Sequence, residues 1–367
     1  MLLAKQPHRM IAFNSSPRIL ERVAALPRYA TATAAPSAEM VYLASNESPF
    51  EPLPSVRQAV IAGSARLNRY PEMHSGALRG VLAERLGVAP DRVVVGTGSA
   101  GILQQVFAAF AQEGDSVVYP WRSFEAYPIL IGASGATGVA VPLGARGELD
   151  LAGMRAAIDT STKAVLLCLP NNPTGTIPSR SEVAEFVAAV PGHVLVVIDE
   201  AYLEFVGPGS GVDALRLLTR HDNVCVVRTF SKAYGLAGLR IGYAVSSSRI
   251  ADALRRVFLP FGVTALAQAA ACASLDARSE LDARVDAIVR ERERVSLALR
   301  GHGWPVPESH ANFVWLAVPE TAEAVGEALR DRGVIARVFP GDGVRLTIGT
   351  PEMNDHALAA LTEMRER

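Results

Sequence analysis

Thr229-Phe230-Ser231-Lys232-Ala233-Tyr234-Gly235-Leu236-Ala237-Gly238-Leu239-Arg240 follows the apolar run 224–227, which reads as a buried strand. The strand hands Lys232 to a loop of hydroxyls and glycines, with Arg240 further along the same loop. Most lysines are solvated surface charges. This one stands where an amine that traps a carbonyl would need to be, beside a cup for a phosphate.

Working outward, short β-branched runs alternate with helical patterns: strands at 92–95, 116–119, 163–169, 194–198, 223–228 and 241–245, helices at 101–112 and 180–189. Continuous apolar strands punctuated by helices predict a mainly parallel sheet covered on both faces, an α/β architecture. Beyond it, 274–300 reads as one long charged helix carrying Val285, Ile288, Val289, Val295 and Leu299. Strand patterns at 311–316, 333–338 and 343–348, with helices at 321–332 and from Met353, then predict a small α+β domain. The expected division is a large domain over 40–275 and a small one from 276–367 with an N-terminal arm, 1–39. No internal repeat is visible.

Composition narrows the function. A chain of 367 residues, 49% hydrophobic and 20% charged, has room for a large core plus a smaller domain. Lys and Arg total 36 against 37 for Asp and Glu, so no general attraction to nucleic acid or an anionic membrane is expected. No apolar run reaches membrane-spanning length, and the first residues lack a secretory pattern. Three scattered cysteines, Cys168, Cys225 and Cys272, fit a reducing cytoplasm. The seven histidines form no ligand pattern, so no metal centre is expected.

Gly96-Thr97-Gly98-Ser99-Ala100-Gly101 lies between a strand and a helix and matches the glycine pattern of dinucleotide sites. Such a site also needs an acidic residue at the end of the next strand, and Asp115 precedes that strand instead. What remains is an anion seat of backbone amides at a helix start, aided by Ser99. Pro170-Asn171-Asn172-Pro173-Thr174-Gly175 and Asp199-Glu200-Ala201-Tyr202 each end a strand, so both loops can share a crevice with Lys232. Asp199 after an apolar run is either a helix cap or the partner of a buried cation such as a pyridinium.

Asn172-Pro173-Thr174-Gly175, Asp199-Glu200-Ala201-Tyr202 and the Ser231 to Arg240 stretch together resemble the fold-type I pyridoxal-phosphate aminotransferases, in the histidinol-phosphate aminotransferase branch. The likeness runs from Leu43-Ala44-Ser45-Asn46-Glu47 to Arg345-Leu346-Thr347-Ile348-Gly349. Trp121-Arg122-Ser123-Phe124-Glu125-Ala126-Tyr127-Pro128 is closer to actinobacterial aromatic (phenylalanine) aminotransferases, because Arg122 and Ser123 stand where histidinol-phosphate enzymes carry Pro-Thr.

The resemblance implies a seven-stranded large-domain sheet and pyridoxal 5'-phosphate on Lys232, which also moves protons. It assigns the ring nitrogen to Asp199, the ring oxygen to Asn172 and Tyr202, and ring stacking to Phe124. The phosphate falls to the Ser99 and Ala100 amides, Thr229, Ser231 and Arg240, with Tyr70 added from the other subunit of a homodimer. Arg345 is implied to clamp the substrate carboxylate, with Arg337, Asn172, Asn46 and Tyr29 as further substrate residues. The 312–315 segment reads as domain core.

The expected activity is amino exchange between aromatic amino acids and 2-oxoglutarate. Histidinol-phosphate aminotransfer, which must seat a dianion beyond the α-carbon, is the alternative, with Arg122 as its local hint. A decarboxylase on the same fold and a pyridoxal-binding regulator are more distant rivals.

Overall fold

The computed structural model describes residues 17–29 and 40–365; the remainder of the expected N-terminal arm lies outside the described residues. Among the described residues eleven strands form two sheets. In chain order they are β1 (Val41–Leu43), β2 (Val93–Gly96), β3 (Ser116–Trp121), β4 (Thr137–Pro142), β5 (Thr162–Cys168), β6 (Leu195–Asp199), β7 (Val224–Thr229), β8 (Gly242–Ser246), β9 (Phe313–Leu316), β10 (Val334–Phe339) and β11 (Gly343–Thr347).

The large sheet has seven strands in the order β2-β8-β7-β6-β5-β3-β4. Pairing is parallel from β7 to β4 and antiparallel only on both sides of β8. Its central strands, VLLC in β5, LVVI in β6 and VCVV in β7, are buried on both faces, as continuous apolar runs between helical layers must be. β4 escapes the sequence reading for a physical reason. It is an edge strand, mostly exposed, and its TGVAVP sequence lacks a continuous apolar run.

Local signals fix the helix ends. Ser179 and Glu182 close a capping box on the helix Arg180–Ala189, and Thr264 and Thr350 accept hydrogen bonds from amides three residues on. The expected single helix over 274–300 is in fact two. Ala265–Asp276 ends at Ala277, whose ψ of 36° is not helical, and Arg278–Gly301 begins afresh. Ser274 and Leu275 are buried with the first helix, whereas the charged pattern belongs to the second. Leu281, Val285, Ile288, Arg292, Val295 and Leu299 then form the buried stripe of Arg278–Gly301, spaced three and four residues apart.

The small sheet runs β1-β10-β11-β9, with β1 parallel to β10 and the other pairs antiparallel. Val41–Leu43 pairs with Val334–Ala336, so the chain contributes a strand to the small sheet before any to the large one. Three residues are too few to carry a strand pattern. As expected, Phe313 and Asn312 are core, fully buried.

Candidate active site

β5, β6 and β7 end side by side, and each delivers polar groups to the same place. Asp199 is the last residue of β6 and lies in register between Cys168 of β5 and Val227 of β7. Asn172 follows β5, and Ser231 and Lys232 follow β7. From the small sheet, Arg337 on β10 and Arg345 on β11 face each other in register. All of them line one cavity of about 320 Å³, together with Tyr29, Asn46, Ser99, Ala100, Phe124, Tyr202, Thr229 and Arg240.

Of the expected site residues only Tyr70 is elsewhere. It is 83% exposed, with its ring 4.6 Å from that of Phe261. Arg122, the basic residue that hinted at a phosphorylated substrate, also lies outside the cavity lining. It donates to Asp342 at 2.7 Å and lies over the Trp121 ring.

The Lys232 ammonium donates to the Ser45 carbonyl at 3.1 Å. Loss of hydration lowers its pKa to about 7; Arg345 and Arg240 deepen the fall and Glu47 opposes it. A lysine so placed holds a large neutral fraction near neutral pH, so it can attack a carbonyl and exchange protons.

Asp199 caps no helix. Its Oδ2 accepts from the Tyr127 hydroxyl at 2.8 Å, and its Oδ1 has no partner. Burial raises this carboxyl to about 6, against the lowering effects of Tyr127 and the Ala201 amide. The neighbouring Glu200 has no such vacancy, because Arg228 donates to it at 2.8 Å within the core. An unpartnered buried carboxylate oxygen facing a cavity calls for a cation or donor from a ligand.

Asn172 and Tyr202 are prepared as donors. Arg345 occupies the Asn172 Oδ1 from 2.5 Å, which leaves the amide NH₂, and Asn46 Nδ2 donates to the Tyr202 oxygen at 2.9 Å, which leaves the hydroxyl proton. Arg345 also donates to the Ala44 carbonyl at 2.6 Å, while its Nε is unpartnered. Both partners are neutral, so the guanidinium keeps its charge for a ligand.

The anion seat forms at the start of the helix Gly98–Phe110, where Ser99 and Ala100 occupy the first turn. Gly98 has φ of 77°, and a Cβ there would sit 2.8 Å from the Arg240 guanidinium. A side chain at Gly242 would strike the Ser99 amide at 2.7 Å. Bare backbone therefore lets the helix start, Arg240 and the Thr229 and Ser231 hydroxyls share one end of the cavity, an arrangement suited to a phosphate. Asp115 lies at the start of β3, 3.5 Å from Lys163, at the opposite end of the strands from this seat.

Sequence reasoning gave no role to Tyr127 or Glu125. Tyr127 is fully buried under Asp199, and Glu125 lines the cavity and forks onto Arg337 at 2.7–3.2 Å. The only local signal for Glu125 was an acidic residue among aromatic and apolar neighbours.

The chain belongs to the family Aminotransferase class I and II, whose model matches residues 38–361 and so spans both sheets and the cavity between them. Among its relatives, an aromatic amino acid aminotransferase of Corynebacterium jeikeium (strain K411) is 52% identical, with 92% of each chain covered. One of that name from Streptomyces coelicolor is 47% identical, covering 96% of this chain and 99% of the relative. Histidinol-phosphate aminotransferase of Sinorhizobium meliloti, solved with pyridoxal-5'-phosphate, is similar in structure, with a TM-score of 0.87, 28% identity, and 96% and 99% of the two chains covered.

The residues present fit that cofactor. Its phosphate suits the seat at Ser99 and Arg240, its protonated ring nitrogen would satisfy Asp199 Oδ1, and its aldehyde would meet the Lys232 amine.

Proposed function

We propose that this protein is an aromatic amino-acid aminotransferase that exchanges the amino group between aromatic amino acids and 2-oxoglutarate in a ping-pong cycle, with pyridoxal phosphate as cofactor. One observation carries the reading: a lysine amine, an unpartnered carboxylate oxygen and a buried arginine open onto a single cavity. The aromatic preference rests on the names of the relatives and on an apolar wall where the Tyr29 and Phe124 rings meet edge to face, 6.4 Å apart.

Bound pyridoxal phosphate supplies the carbonyl that takes up the amine and the ring that draws electrons from the α-carbon. The protein does the rest. Arg345 grips the α-carboxylate through its fork. The Lys232 amine, largely neutral near neutral pH, would accept the proton lost from the substrate α-carbon and give it up again on the far side of the nitrogen. Asp199 would hold the protonated ring nitrogen, Asn172 and Tyr202 would donate to the ring oxygen, and Phe124 would pack against the ring.

The active unit in this reading is a homodimer in the cytoplasm. Support for a second copy comes from the exposed apolar side chains Ile61, Leu67, Tyr70 and Leu259, a set that water alone would not favour; Tyr70 would reach the partner's phosphate seat. Among the described residues no helix is long and apolar enough to cross a membrane, and Cys168 and Cys225 are buried free thiols.

Single-turnover bleaching of the bound cofactor tests the substrate. Phenylalanine is expected to react at least about tenfold faster than histidinol phosphate, the scale on which a pocket discriminates side chains. Faster reaction with histidinol phosphate overturns the aromatic reading.

A second expectation concerns Asp199→Asn. In the cofactor-free protein the folded state holds this carboxyl at about 6 whereas the unfolded chain ionises it freely, so at pH 7 folding carries a penalty of about 3 kcal/mol. The penalty fades as pH falls through 6 towards 4. Asp199→Asn should therefore raise the melting temperature of the cofactor-free protein at pH 7 but not at pH 4, while kcat falls by about 10²-fold. A cofactor-free variant less stable than wild type at pH 7 would refute this account of the carboxylate.

A further inference from the structure

The small-sheet side of the cavity holds two guanidiniums on neighbouring strands, in register, and they differ in one respect. Arg345 has only neutral partners, Asn172 and the Ala44 carbonyl. Arg337 is spent on Glu125: its Nε and Nη2 reach the two carboxylate oxygens at 2.7–3.2 Å. Both side chains are largely buried, 11% and 22% exposed, so the pair is shielded from the screening that makes surface ion pairs weak. Glu125 sits directly after Phe124, next to the aromatic wall, and both line the cavity.

An amino acid offers this end a carboxylate, one negative charge. Histidinol phosphate offers a phosphomonoester dianion on the carbon beside the amine-bearing one. One free fork matches the first; two would match the second. A dianion entering the present site would find Arg345 but would also face the Glu125 carboxylate.

Resting on the aminotransferase reading above, we propose that Glu125 is the charge-selectivity residue of this site: by neutralising Arg337 it leaves one free guanidinium for a carboxylate monoanion and turns away phosphomonoester dianions. Specificity thus includes a repulsive element, and the distinction is made without removing either arginine. Glu125 touches neither the amine nor the reacting carbon, so it acts through Arg337.

Two ligands of equal length separate charge from shape: 3-phenylpropionate, a monoanion, and benzyl phosphate, a dianion at about pH 8. The holoenzyme is titrated with each by calorimetry, as wild type, as Glu125→Gln, and as the double variant Glu125→Gln with Arg337→Gln. Glu125→Gln should tighten benzyl phosphate at least about tenfold and change 3-phenylpropionate by less than about threefold; the double variant should lose the gain. The ratio of kcat/KM for histidinol phosphate over phenylalanine should rise in step. Equal changes for both ligands, no change, or a gain that survives loss of Arg337 each overturn the proposal. Butyrate, titrated alongside, tests the aromatic reading separately: a wild-type protein that binds butyrate as well as 3-phenylpropionate refutes that reading and leaves the charge comparison intact.

Discussion

Lys232→Ala loses amino transfer by about four orders of magnitude, the upper end of what removal of a positioned general acid and base costs. The same substitution removes the covalent hold on the cofactor, so the visible absorption of the purified protein is lost on dialysis. Lys232→Arg should fail as fully. A guanidinium keeps its proton at every accessible pH, whereas the lysine's value to the site is that burial and the neighbouring Arg345 and Arg240 bring its amine down to about 7. A Lys232→Ala protein that stays coloured after dialysis, or an arginine variant with more than a few per cent of wild-type kcat, would contradict the assignment.

Arg345→Lys is expected to lower kcat/KM for amino acids by about 10²- to 10³-fold, most of it in KM. The charge survives in this variant, but the fork does not. A single ammonium cannot hold the Ala44 carbonyl, the Asn172 amide and a substrate carboxylate in one plane. Because Arg345 also occupies the Asn172 oxygen, its loss frees that amide to turn, and the affinity for the cofactor should weaken slightly as well. Steady-state kinetics with phenylalanine check the first effect, and a cofactor titration checks the second. Unchanged KM for phenylalanine would remove Arg345 from the substrate site.

Much of this was readable in the chain because strands buried on both faces leave long apolar runs, and the polar residue after each run must lie at the sheet's carboxyl edge. Lys232, Asp199 and Asn172 were found that way. Arg345 was reached by resemblance, and the structure puts it on β11 of the small sheet, where its guanidinium meets Asn172. Where patterning was weak, the reading failed. β1 has three residues, β4 is an exposed edge with Gly138 and Pro142, and the break at Ala277 carries neither glycine nor proline. Glu125 and Tyr127 were invisible as site residues because their meaning comes from partners more than 70 residues away in sequence, Arg337 and Asp199. Periodicity reports which face a residue takes, not whom it meets there.

The entry of the chain into the cleft is made by main-chain atoms. From the end of β1, three successive carbonyls serve three different elements: Ala44 receives Arg345, Ser45 receives Lys232, and Asn46 receives Asn312. Carbonyls belong to every residue, so this stretch is nearly indifferent to which side chains occupy positions 44 and 45, yet strict about how many residues lie between β1 and Asn46. One residue inserted or deleted there displaces the acceptors of Arg345 and Lys232 in the same stroke. Divergent copies of this chain should therefore differ freely in spelling across 44–45 and hardly at all in spacing, with length changes confined to surface loops such as the one around Gly209.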